Sequence, residues 1–98
     1  MLKKLGIDDS KLLPPITRKL ELIDKIFLTH GGVEAVLTST NSGDHSRGSY
    51  HYRNLAIDLR LPPTHTIKGV VQVLKDGLGD DYDVILEKTH IHVEYDPK

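Results

Sequence analysis

The chain has 98 residues and a formal net charge of −1, enough for one domain with a single modest core and without a general pull toward nucleic acid or an anionic membrane. Hydrophobic residues at 38% and charged residues at 28% exclude a disordered polyelectrolyte, and no run approaches the ~20 apolar residues of a membrane span. There is no cysteine, which excludes disulfides and thiolate metal sites; any metal must be held by carboxylates or by some of the six histidines, a high count for this length.

Residues 1–16, "MLKKLGIDDSKLLPPI", are polar with scattered leucines and end in a double proline, so they read as an arm, extended or with a short turn of helix. From Thr17 to about Thr29, Leu20, Ile23 and Phe27 recur at helical spacing, with Leu22 and Ile26 widening the stripe. "HGG" at 30–32 stops that helix, because glycine takes the left-handed terminal conformation at little cost. "VEAVLTST" (33–40) is a short β-prone run, and the polar "NSGDHSRGS" that follows is a loop. Next comes an alternating segment, with Leu55, Ile57 and Leu59 on one face and Asn54, Ala56 and Asp58 on the other. "LPPT" breaks the chain before Ile67, Val70, Val71, Leu74 and Leu78 mark a second amphipathic helix, closed by "GLG". "YDVILE" and "HIHVEY" are two strands whose "KT" link is short enough for a tight hairpin. The order predicts an α+β domain over residues 17–98, with a small, largely antiparallel sheet and two main helices.

The alternation carries chemistry. It places His90, His92 and Glu94 on one face of the last strand and Ile91, Val93 and Tyr95 on the other. If the apolar faces of this strand and of the Asp58 strand pack on one core, their imidazoles and carboxylate converge on the opposite side. His51, just before the first strand, completes a set of two histidines and one carboxylate. Three protein ligands and one open position form the economy of a catalytic zinc site, whereas four would close it. His30 and His65 fall in loops and read as solvent-exposed.

"SYHYRNLAIDLR" resembles the S-x-H-x-x-G-x-A-x-D signature of the zinc D-alanyl-D-alanine carboxypeptidases and related cell-wall peptidases, its Ser, His, Ala and Asp falling on Ser49, His51, Ala56 and Asp58. "HIH" at 90–92 resembles the His-x-His that finishes the same site, and "HSRGSYHYRNLAID" is similar to a stretch of the hedgehog signalling domain, which shares the fold. The resemblance spans roughly residues 33–95. It implies a hedgehog/DD-peptidase-like fold with Zn2+ held by His51, Asp58 and His92, and with His90 beside the metal. Two positions depart from the pattern: Asn54 stands where the signature has glycine, and Thr89 where many relatives carry an acidic general base three residues before the last ligand. Asparagine tolerates left-handed backbone angles better than most residues, so the turn survives. The nearest acid is Glu87, five residues before His92.

The resemblance implies a zinc metallopeptidase that hydrolyses amide bonds in peptidoglycan stem peptides, as a D,D-carboxypeptidase or an endopeptidase. With Thr89 at the family's base position, the base falls to Glu87 as the nearest acid, with Glu94 the next candidate; His90 and His45 then stabilise the oxyanion, and Arg47 and Ser49 contact substrate. The alternative is a catalytically silent zinc-binding domain of the same fold. No N-terminal stretch has the apolar core of a signal peptide, so synthesis in the cytosol is expected. Action at a cell wall then requires release or virion delivery, as for a phage endolysin or virion protein. The expected partner is a peptidoglycan peptide, with no nucleic acid and no membrane insertion; the sequence does not specify an oligomeric state.

Overall fold

A computed structural model describes residues 1–40 and 54–97. Their order is strand β1 (Leu2–Lys3), helices α1 (Pro14–Thr17) and α2 (Leu20–Ile26), strands β2 (Val36–Ser39) and β3 (Ala56–Arg60), helix α3 (Ile67–Leu78), and strands β4 (Tyr82–Leu86) and β5 (His90–Tyr95). The five strands form one mixed sheet in the order β1-β2-β3-β5-β4, in which β1 runs parallel to β2 and the other pairings are antiparallel. The α+β class is therefore present, with one parallel pair at the sheet's edge. No helix among the described residues is long and apolar enough to cross a membrane.

The arm is both extended and helical. Leu2 N–H donates to the Ala35 carbonyl and Lys4 N–H to the Leu37 carbonyl, each at 2.9 Å, which docks β1 on β2. The two prolines then sit in the first turn of α1, where missing N–H groups cost nothing. Leu12 and Ile16 from this segment reach the core.

One face of the sheet is dry. Ile57, Leu59, Ile91 and Val93 of the central strands are fully buried, and they pack in one cluster with Ile23, Ile26 and Phe27 from the first helical segment and Val70, Leu74 and Leu78 from α3. Each such aliphatic side chain contributes roughly 1.5–3 kcal/mol relative to exposure, so this cluster dominates the fold's stability. The first helix does not end cleanly: α2 widens into a π-helical turn over Phe27–Gly31 before Gly32, at φ 69°, closes it in the left-handed region. Gly31 is also a contact. A Cβ there would lie 3.3 Å from both Pro62 Cβ and Val70 Cγ2, so a side chain would push α3 and the "LPP" segment away.

Asn54, which enters β3, has φ 60° and is the one non-glycine residue with positive φ among those described. Asparagine thus makes the left-handed turn expected at position 54. Its backbone carbonyl accepts the Leu13 N–H at 3.0 Å, tying the arm to the start of β3, while its side-chain Oδ1 is buried without a partner among the described residues. Left-handed backbone costs an L-residue roughly 1–2 kcal/mol, less for asparagine, and an unsatisfied buried oxygen adds to that. Asn54→Gly is therefore expected to stabilise the domain by about 1 kcal/mol and Asn54→Ala to destabilise it by about as much, which thermal denaturation reads as shifts of roughly 4–8 °C in opposite directions.

Candidate metal centre

Because β3 and β5 bury their odd-numbered aliphatic residues against the helices, their even-numbered residues must share the other face. The register pairs Ala56 with Glu94, Asp58 with His92, and Arg60 with His90. The result is a compact polar group. Asp58 Oδ1 lies 3.0 Å from His92 Nδ1 and 3.7 Å from His90 Nε2, and its residue is only 9% exposed.

Each imidazole is held from its far side. His92 Nε2 donates to Glu94 Oε1 at 2.8 Å. The Thr89 hydroxyl donates to His90 Nδ1, at 3.0 Å, in the tautomer whose Nε2–H faces Asp58. Thr89 thus orients a histidine. Burial opposes a positive charge on His92, but hydrogen bonds to Asp58 and Glu94 outweigh it, so its pKa is raised from the ordinary 6.5. In the metal-free chain the His92 ring thus lies between two carboxylates, Asp58 on Nδ1 and Glu94 on Nε2.

A metal ion is one use for such an arrangement. Two ligand atoms of a tetrahedral zinc with bonds of about 2.0–2.2 Å lie roughly 3.3–3.5 Å apart, so Asp58 Oδ1 and His92 Nδ1, at 3.0 Å, would part by a few tenths of an ångström to hold one. An ion taking the place of the proton between Asp58 and His92 would leave Glu94 on the other ring nitrogen. A carboxylate behind a ligating histidine fixes its tautomer and raises its basicity, the usual support of such a ligand. His92 is the better-supported ligand of the pair. Its side chain is 16% exposed against 30% for His90, and a carboxylate rather than a hydroxyl backs it.

Of the residues expected to form the site, Asp58, His90 and His92 are brought together. His45, Arg47, Ser49 and His51 lie outside the described residues. Glu87 is exposed, with its N–H donating to the His90 carbonyl at 2.9 Å in the turn between β4 and β5. It shares strand phase with Asp83 and Ile85, whose cross-strand partners are Glu94 and His92, so it falls on the ligand side of the hairpin. His30 and His65 are exposed.

A second group was not anticipated. Asp83, Glu94 and Asp96 each offer a carboxylate oxygen, and these atoms all lie within 4.8 Å of one another. The pairing of Asp83 with Glu94 and the two-residue step to Asp96 create it. These three carboxylates can hold a cation, although an all-oxygen set suits Mg2+, Ca2+ or Mn2+ better than zinc. Glu94 belongs to both groups. No family model matches the chain, and neither curated proteins nor solved structures give a match.

Two outcomes are expected. If the site takes zinc, one equivalent should bind, and at a hundredfold excess over its dissociation constant should raise stability by about 2.7 kcal/mol, or on the order of 10–20 °C in melting temperature. Asp58→Asn, His92→Ala and His51→Ala should abolish that stoichiometric zinc while His90→Ala retains it, as metal analysis of the purified variants would read. The metal-free chain should respond to pH through His92. Its pKa is higher in the folded state, so its contribution is complete below about pH 6.5, the ordinary value, and is lost as pH rises through the raised folded value. Melting temperatures across that range should fall in the parent and lose this component in His92→Gln.

Proposed function

We propose that this chain is a zinc-dependent hydrolase of amide bonds in peptidoglycan stem peptides, and that its natural setting is a phage or prophage lysis or virion protein. The observation that carries the reading is the placement of Asp58, His90 and His92 about one carboxylate oxygen, on the residues that match the two peptidase motifs. Asp58, His92 and His51 would hold the ion. When bound, zinc supplies a water that ionises near neutral pH and a Lewis acid for the scissile carbonyl.

The chain's own groups divide the remaining work. Asp58 and His92 are anchored on paired central strands whose other faces are fully buried, so the ligand pair is preorganised. Glu94 accepts from His92 Nε2, so Nδ1, which faces Asp58, would be the nitrogen turned to the ion. Thr89 keeps His90 Nδ1 occupied, so Nε2–H is the donor available to a developing oxyanion beside Asp58. Glu87, on the ligand side of the hairpin, takes the proton of the attacking water and hands it to the leaving amine. His45 would stand with His90 at the oxyanion, and Arg47 and Ser49 would contact substrate.

Thr89 favours a second reading. With a hydroxyl committed to His90 where an acidic base is usual, the domain is a metal-binding module without hydrolysis. Digestion of purified peptidoglycan, with and without chelator, separates the two. The hydrolase reading predicts chelator-sensitive release of stem-peptide fragments. It also predicts that Glu87→Gln keeps its zinc but loses on the order of 10²–10⁴ in rate, the usual worth of general acid–base catalysis. A parent chain that binds zinc and releases nothing supports the module.

A further inference from the structure

Strand β2 carries an irregularity beside the metal centre. Leu37 pairs with Leu59 and Ser39 with Asp58, so two steps along β2 answer one step along β3, and Thr38 is the extra residue of a β-bulge. Burial records the same change of phase. Leu37 and Thr40 are fully buried, whereas Thr38 and Ser39 between them are only partly so. Regular alternation from Leu37 would send Ser39 into the core and turn Thr40 out. The bulge instead leaves two consecutive hydroxyls, Thr38 and Ser39, on the face that holds Asp58.

A bulge interrupts the ladder, so its use lies in the side chains that it re-aims. Thr40, turned inward, donates its hydroxyl to the Asp8 carbonyl at 2.8 Å and ties the arm to the sheet. Thr38, turned outward, donates to the backbone carbonyl of Asp58 at 3.3 Å and lines a cleft of about 340 Å³ together with Asp58 and His90. The first contact is structural. The second acts on the residue whose carboxylate stands at the centre of the polar group. On its other edge β3 is held to β5 by a regular ladder. The main chain at Asp58 is therefore gripped from both sides, by backbone on one and by a hydroxyl on the other.

Resting on the reading of Asp58 as a zinc ligand, we infer that Thr38 is a positioning residue of the metal centre: the bulge delivers its hydroxyl to the Asp58 main chain and so fixes the carboxylate against His92. The side chain of aspartate is short, so a shift of its backbone passes directly to the ligand oxygen. A metal site tolerates an error of only about 0.5 Å in such an atom. A hydroxyl that pins the backbone beside the ligand acts on that error without touching the ion.

The test reads zinc binding, so it does not depend on turnover. The affinity of the full chain for zinc is measured by competition with a chromophoric chelator, beside the melting temperature of the metal-free chain. Thr38→Val keeps the shape and strand preference of the side chain and removes its hydroxyl. It should raise the zinc dissociation constant about tenfold, the low end for groups that orient a ligand, because the contact is long and acts through the main chain. The metal-free melting temperature should stay within a few degrees of the parent's. Thr38→Ser should restore most of the affinity. Thr40→Val should do the reverse of Thr38→Val, lowering the melting temperature through the lost arm contact and leaving zinc affinity unchanged. A Thr38→Val chain with the parent's affinity would overturn the assignment, as would equal losses of affinity in Thr38→Val and Thr40→Val. A parent that binds no zinc would overturn the metal centre along with it. A zinc-binding parent that shows the Thr38 effect but releases nothing from peptidoglycan would contradict the hydrolase alone.

Discussion

The pairing of β3 with β5 places every other feature of the site. Antiparallel strands with a period of two admit one register in which Ile57 and Leu59 lie beside Val93 and Ile91 against the helices. In that register Asp58 meets His92 and Arg60 meets His90. A slip of β5 by one residue against β3 would expose the fully buried Ile91 and Val93 and turn two imidazoles into the core. At roughly 1.5–3 kcal/mol for each aliphatic side chain, before the cost of burying the imidazoles, the loss would be a large share of the net stability of a small domain. The hydrophobic core and the polar constellation are therefore held by the same hydrogen-bonded ladder.

What covers the back of each histidine decides what its front can do. Glu94 and Asp58 face the two nitrogens of His92, so the metal-free ring is drawn toward the imidazolium and the ring in a zinc site would be drawn toward a single tautomer. His90 is backed by a neutral hydroxyl from its own chain neighbour, which orients it without adding charge. Two histidines separated by one residue on the same strand face are thus prepared for different tasks. Glu94 is also shared with Asp83 and Asp96, so a cation held by those three acids would draw on the carboxylate that supports His92.

Much of this was legible in the chain. The alternations at 55–59 and 90–95 place Asp58, His90 and His92 on polar faces, the second helix follows from its stripe, and the left-handed turn at Asn54 is one that asparagine can make. Other features carry no local signal. A two-residue strand such as β1 is too short for periodicity, and its parallel pairing with β2 is settled by contacts across more than thirty positions of sequence. The π-helical turn at Phe27–Gly31 is a shift in backbone hydrogen bonding that the side-chain pattern does not encode. Glu94 could be placed on the histidine face from sequence, but only its 2.8 Å contact with His92 identifies it as a support. The acidic group around Asp83 needed the β4–β5 register.

The central claim is that the preferred cation sits on nitrogen as well as oxygen, between Asp58 and the histidines. X-ray absorption at the zinc edge, on the chain loaded with one equivalent, tests it most directly. The account predicts a four-coordinate shell of nitrogen and oxygen at about 2.0–2.1 Å with the outer scattering of two imidazole rings. A shell of oxygens alone, without imidazole scattering, would place the ion on the carboxylates of Asp83, Glu94 and Asp96 and contradict it.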